Sequence, residues 1–174
     1  MVSADWEFAE KEDPELSDVQ KSKVVQKLTN VVGIEGMVGG QFVDLKYSDE
    51  FMEYSTLEYI HIHKTASLFM AVGTSAGIIG DASEQELKAL DDFAKNLGFA
   101  FQIMDDLLDA DGNPDEMGKS IQKDKGNFVK LLGAEQSRKL AKDYADKAID
   151  STNIFAGKND KLIMLGKILL GRTK

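Results

Sequence analysis

The sequence predicts an all-α fold. Long segments carry apolar residues at three- and four-residue spacing, period-two alternation is scarce, and only two prolines, Pro14 and Pro114, interrupt 174 residues. That length suits one domain with a core large enough to fold alone. With 43% apolar and 29% charged residues, the chain reads as globular rather than disordered.

Composition also removes function classes. A formal net charge of −9 argues against a general nucleic-acid binder, because nothing suggests a surface able to displace phosphate counterions. Phosphorylated small molecules stay open, since local lysines or metal ions override net charge. The absence of cysteine excludes disulfides, thiolate catalysis and cysteine-based zinc sites. No charged segment precedes an apolar stretch and no apolar run approaches ~18 residues, so a cytoplasmic location is expected.

Taken in order, residues 1–16 are polar and acidic apart from Trp6 and Phe8, and read as a loop-like lead-in interrupted by Pro14. Ser17 or Asp18 then caps a helix bearing Val24, Val25, Leu28, Val31 and Val32, expected to continue as far as Leu45. Four glycines within it (Gly33, Gly36, Gly39 and Gly40) cost roughly 1 kcal/mol each against alanine in a helix interior. Close approach of another helix or a ligand would offset that; the alternative is a break near Gly39-Gly40.

Ser55-Thr56-Leu57-Glu58 matches a capping box opening a helix to about Ile79. Within it, Lys64 and Thr65 are polar groups in an apolar run. Such a lysine can take a phosphate oxygen as a point charge, or simply snorkel from a helix surface. His61 and His63, two residues apart, point in widely different directions on a helix, so they are read as structural or solvent-facing. Ser83-Glu84-Gln85-Glu86 is a second capping box, opening a helix with Leu87, Leu90, Phe93, Leu97, Phe101, Met104 and Leu108 inward. Asp111-Gly112-Asn113-Pro114 ends it. Two more helices are expected, about Ala134 to Asp150 with i,i+4 pairs such as Lys139 and Asp143, and Asp160 to Leu170 with Leu162, Leu165, Ile168 and Leu169 on one side.

The chemistry concentrates in Gly98-Phe99-Ala100-Phe101-Gln102-Ile103-Met104-Asp105-Asp106-Leu107-Leu108-Asp109. With Gln102 at zero on a helical wheel, Asp105 falls near about 300°, Asp106 near about 40° and Asp109 near about 340°. The polar groups thus share one arc. Three carboxylates within two turns repel unless solvent, protonation or a cation relieves them. They lie at a helix C-terminus, where the macrodipole disfavours anions, so a cation is expected there. Hard oxygen donors that leave room for water and phosphate suit Mg²⁺. A solvated acidic last turn is the plainer alternative. The connection that follows, with Lys119 and Lys125, can bring cations back toward this end.

These residues, in this order, resemble the C-terminal half of a trans-polyprenyl diphosphate synthase, the farnesyl and geranylgeranyl diphosphate synthase family. The resemblance rests on Gly36-Met37-Val38-Gly39-Gly40-Gln41-Phe42-Val43-Asp44-Leu45, on His61-Ile62-His63-Lys64-Thr65-Ala66-Ser67-Leu68, on Phe101 to Asp109, and on Gly118-Lys119 with Asp124. It covers roughly residues 28–150, and the paired HKT and FQ-x-x-DD-x-x-D segments are its most specific part. It implies long antiparallel helices around an apolar cavity, usually dimeric, so that a homo-oligomer is expected. It also implies condensation of an allylic diphosphate with isopentenyl diphosphate. Carried over residue by residue, Asp105, Asp106 and Asp109 would hold Mg²⁺ against the allylic diphosphate, Asp105 most directly. Lys64, Lys119 and Lys125 would contact diphosphate oxygens. Thr65 and Gln102 would lie beside the developing allylic cation or its departing diphosphate.

Two departures qualify the resemblance. The first aspartate-rich motif and the family's upstream basic residues are absent from residues 1–27, and the Lys119 to Phe128 connection is shorter than in many members. The expectation is therefore a single partial domain over 1–174, inactive alone. The competing readings are a non-catalytic or regulatory subunit completed by a partner, and a structural helical bundle that binds cations. Terpene cyclases, whose second metal motif usually combines Asn, Ser or Thr with Glu, fit the aspartate triplet less well.

Overall fold

The computed structural model describes residues 16–47, 52–111 and 126–171. Among them every regular element is helical, as the periodicity requires. In order these are α1 (Asp18–Val32), α2 (Met37–Tyr47), α3 (Tyr54–Ile60), a π-helical segment (His61–Ala66), α4 (Ser67–Ile79), α5 (Glu84–Asp111), α6 (Phe128–Leu132), α7 (Ala134–Ser151), a 3₁₀ turn (Thr152–Phe155) and α8 (Asp160–Leu170). The lead-in before Leu16 lies outside the described residues, as do Lys119, Asp124 and Lys125.

The N-terminus of α1 forms as expected. Ser17 Oγ accepts from Gln20 N at 3.2 Å, while the Gln20 side chain accepts from Ser17 N at 2.9 Å. The helix does not run on to Leu45. It stops at Gly33 and resumes at Met37, so the break falls at Gly33–Gly36 rather than at Gly39-Gly40. The second expected capping box is present, with Ser83 N donating to Glu86 Oε2 at 2.8 Å. The first is not. The chain turns helical at Tyr54, so Ser55 already lies inside α3, and Glu53 occupies the cap without a side-chain bond.

Helix α5 is the axis of the bundle, packed against α4, α7 and the π segment. Phe93, Ala94, Leu97, Phe99, Ala100, Ile103 and Leu107 are its buried apolar side chains. The inward face is therefore wider than a single stripe, and Phe101, Met104 and Leu108 are only half-buried on its margin. Phe99 also joins an aromatic group with Phe128 (5.6 Å between centroids) and Tyr144 (4.4 Å). Helix α8 docks through Gly166, set against the Ile149 side chain, and through Leu169. Leu165 and Ile168, expected to pack, are 47% and 55% exposed.

The helix spanning Tyr54 to Ile79 departs from α geometry only at His61–Ala66. Two glycines let other helices reach that segment at backbone distance. A Cβ built on Gly40 of α2 would lie 2.5 Å from Lys64 N, and one built on Gly98 of α5 would lie 2.7 Å from Ala66 Cα. Both contacts are closer than real Cβ atoms make, and they meet backbone, which cannot swing aside. This is the compensation that Gly40 needs for its helix-interior cost. Gly40→Ala and Gly98→Ala should each lower stability by about 1–3 kcal/mol through overpacking. Gly171→Ala, whose added Cβ would first meet Lys167 O at 3.5 Å, should leave stability nearly unchanged. Urea denaturation of the three variants checks the contrast.

Candidate active site

The clamped π segment puts Lys64 and Thr65 beside the C-terminal turns of α5. A cavity of about 270 Å³ opens there, with Lys64, Thr65, Gln102, Asp106 and Asp109 in its wall. The π geometry was not legible in the spacing of the sequence, and such segments often occur at functional sites. Lys64 and Thr65 also line an apolar groove of about 600 Å³ formed by Val32, Met37, Val38, Gln41, Phe42 and Leu45. Polar cavity and apolar groove thus meet at two adjacent residues.

Inside the cavity a hydrogen-bond chain runs from the π segment to α6. Thr65 Oγ1 donates to Gln102 Oε1 at 2.8 Å, Gln102 Nε2 donates to Asp106 Oδ1 at 3.3 Å, and Phe128 N donates to Asp106 Oδ2 at 3.3 Å. The aspartates are not equivalent. Asp106 is 9% exposed, Asp105 is half-buried and Asp109 is exposed. Asp109 and Asp106 line the cavity as the wheel anticipates, whereas Asp105 is not part of that wall.

Burial pushes the Asp106 carboxyl up to about 7, against the opposing bonds from Gln102 and Phe128, with Asp105 and Asp109 raising it further. Beside it, His61 Nε2 stands 3.9 Å from Asp106 Oδ2. Burial lowers the His61 imidazole to about 4, with Asp44 raising it and Lys64 lowering it. His61 is therefore neutral near pH 7, wedged edge-on against Phe128 at 5.0 Å between centroids. His63 stacks on Tyr59 at 3.9 Å. His61 thus lines the site cavity and His63 a different pocket, so the two point apart as their spacing implies.

Lys64 Nζ pairs with Asp44 Oδ2 at 2.6 Å. Asp44 lies within a quoted motif, yet no spacing argument gave it a role; its position across from Lys64 depends on the Gly40 contact between α2 and the π segment. The far wall comes from Asn127, Val129 and Lys130 of the α6 entry. That short helix was not anticipated, although its signals are present: Asn127 caps Lys130 N at 2.8 Å, and Gly133 follows the helix at φ 83°.

Among the described residues no three His, Asp or Glu side chains converge into a closed metal cage. The donor set nevertheless fits a hydrated divalent cation. It is all hard oxygen, it sits in the C-terminal turns of α5, and its buried member is held up in pKa by burial and by the neighbouring Asp105 and Asp109 carboxylates. Mg²⁺ is commonly bound by one or two carboxylates with water and phosphate completing its shell, which needs no cage.

The two shifted groups oppose each other in stability. Asp106, raised from 3.8 to about 7, contributes stability below pH 4 that is lost as pH rises toward 7. His61, lowered from 6.5 to about 4, contributes stability above pH 6.5 that is lost as pH falls toward 4. Asp44, Lys64, Asp105 and Asp109 surround the pair and set a common background. In EDTA, urea denaturation of Asp106→Asn should show stability climbing between pH 4 and 6.5, more steeply than in the parent, where the two terms offset. Parallel profiles would refute the assignment.

Comparison with known proteins shows the family. The polyprenyl synthetase family matches residues 13–157. Farnesyl diphosphate synthase of Micrococcus luteus is 35% identical over 158 residues, covering 88% of this chain and 54% of that protein. The chloroplastic heterodimeric geranylgeranyl pyrophosphate synthase large subunit 1 of Arabidopsis thaliana is 37% identical over 144 residues, covering 78% of this chain and 38% of its own. The crystal structure of geranyltransferase from Legionella pneumophila superposes with a TM-score of 0.80 at 29% identity, over 98% of this chain and 56% of that one. The chain thus spans about half the length of the relatives it matches, or less. With its fold, its HKT and DD-x-x-D segments and these relatives in agreement, the chain belongs to the polyprenyl synthetase family.

Proposed function

We propose that this chain forms the diphosphate- and metal-binding wall of a prenyltransferase that joins an allylic diphosphate to isopentenyl diphosphate. The observation that carries the reading is the meeting of cation, carboxylates and apolar groove at Lys64 and Thr65. A prenyl diphosphate has that same division, with a charged head on a hydrocarbon chain. Lys64 would exchange its Asp44 partner for a diphosphate oxygen. Asp109 and Asp105, with Asp106 between them, would hold Mg²⁺, which when bound supplies charge to stabilise the departing diphosphate. Lys119 and Lys125 would add further cations to the head group. Thr65 and Gln102 would present oxygen toward the electron-poor carbon, and the groove would keep water from it. A cytoplasmic enzyme working as a homo-oligomer fits this reading.

These 174 residues contain no first aspartate-rich motif, and on this reading residues outside them form the opposite wall. On this reading the chain alone does not turn over. A second reading, a subunit completed by a partner, is favoured by the relative whose name describes a heterodimeric large subunit.

Isothermal titration with inorganic pyrophosphate should show binding that requires Mg²⁺. Lys64→Ala and Asp109→Asn should each weaken it about tenfold, the value of one charge-assisted contact. Binding indifferent to Mg²⁺ and to both substitutions would leave a structural bundle. Turnover of the isolated chain with allylic and isopentenyl diphosphates would refute its incompleteness. Restoration of turnover by an added partner chain would support the subunit reading.

A further inference from the structure

Lys64 already has an anion beside it. Its Nζ lies 2.6 Å from Asp44 Oδ2, and both residues line the cavity. The pairs Lys88–Asp92 and Lys142–Asp146 each lie within one helix, four residues apart and exposed. Lys64 and Asp44 instead join the π segment to α2. Gly40 and Asp44, four apart on α2, share one face of that helix. Gly40 meets Lys64 N at backbone distance, which leaves Asp44 one turn further along, against the Lys64 side chain. Packing therefore sets this pair, and two mobile side chains did not meet by chance.

An ammonium carries three donors, so Lys64 has hydrogens to spare for a second oxygen. What Asp44 withdraws is charge. An anion entering the cavity meets a neutral pair where it would otherwise meet a cation, with a carboxylate of its own sign beside it. Among the described residues, the carboxyl groups of Asp44, Asp106 and Asp109 face the ammonium groups of Lys64 and Lys130 around this space. Asp106 and Asp109 belong to the acidic end of α5, whereas Asp44 sits on another helix and acts on the lysine. Both members of the pair are partly exposed, so it can part without stranding a buried charge.

We propose that Asp44 is a positioning residue that serves as the resident counter-anion of Lys64, holding the ammonium at the cavity wall and weakening its grip on a diphosphate. This deepens the prenyltransferase reading and rests on it for the identity of the anion. A reaction that takes in a diphosphate and sets free pyrophosphate is slowed by a site that keeps its product. Asp44 gives Lys64 a partner to return to as that product leaves.

Isothermal titration of the intact chain with inorganic pyrophosphate in Mg²⁺ reads the sign of this effect. Asp44→Asn keeps the shape of the side chain and removes its charge, and should tighten binding about fourfold. Asp44→Glu, which restores the charge, should stay within about twofold of the parent. Asp143→Asn, exposed on α7 and not in the cavity wall, should change nothing. In a Lys64→Ala background Asp44→Asn should add nothing, because a counter-anion acts only through its cation. Weaker or unchanged binding in Asp44→Asn would overturn the proposal and leave the prenyltransferase reading standing, since a purely structural tether or a metal ligand loses affinity when cut. Equal tightening in the Lys64→Ala background would overturn it too. Binding by Asp44→Asn alone, with none in the parent, would support it in its strongest form. Tightening through Lys64 that needs neither Mg²⁺ nor Asp109 would keep the counter-anion and fail the prenyltransferase reading. Absence of binding in both chains would overturn both. Should Asp44→Asn not fold, Asp44→Ser takes its place under the same criteria.

Discussion

The site depends on two helices reaching the backbone of a third. Gly40 and Gly98 bring α2 and α5 onto opposite parts of the π segment, at distances where any side chain would meet main-chain atoms. Because backbone is the least yielding partner in a packed interior, the placement of Lys64 and Thr65 is fixed by steric exclusion before any polar interaction is made. The hydrogen bond from Thr65 to Gln102 and the ion pair of Lys64 with Asp44 each link the segment to one of the two helices that clamp it. The polar contacts are therefore consequences of the close approach, and they need little energy of their own to hold the geometry.

Electrostatics then works within that frame. The Lys64–Asp44 pair is partly exposed, at 41% and 28% of the side chains, so its contribution to stability is small and it exchanges readily for another anion. The His61–Asp106 pair is different. Both groups are buried, and burial drives them toward neutrality from opposite directions, the imidazole down and the carboxyl up. A nearby cation favours the ionised carboxylate, as do the bonds from Gln102 and Phe128. Positive charge at the acidic end thus acts in the same direction as the hydrogen-bond chain behind it.

Much of this was legible in the sequence where spacing along one element decides the outcome. Ser83 and Glu86 form their capping box, and Gln102, Asp106 and Asp109 share the cavity as the helical wheel places them, while Asp105 of the same arc is outside that wall. The sequence was less informative where two elements decide. Nothing local to His61–Ala66 announces π geometry; it accompanies the fit of α2 and α5 around the segment. The Ser55-Glu58 pattern satisfied the capping rule, but the helix began one residue earlier and left the serine inside it. The true inward face of α5 includes Ile103 and Leu107 because helices pack on it from several sides, whereas a single amphipathic stripe assumes one. Asp44 follows the same logic, since its role appears only once α2 lies across the π segment.

The apolar surface of α2 continues the site outward. Val38, Phe42 and Leu45 are 52%, 66% and 66% exposed along one side of α2, and all three line the groove that ends at Lys64 and Thr65. Scattered apolar residues on a surface need no explanation, but a continuous strip joined to a polar cavity does. On the proposed reading, a substrate hydrocarbon alone would leave the strip open to water on its outer side, and water reaching the cavity would intercept an electron-poor carbon. Both problems have one solution if further helices close over α2. The geranyltransferase of Legionella pneumophila superposes on 98% of this chain, which covers 56% of that one. On the proposed reading, the wet edge of the groove and the missing carboxylates are the same deficiency, and one covering segment would supply both.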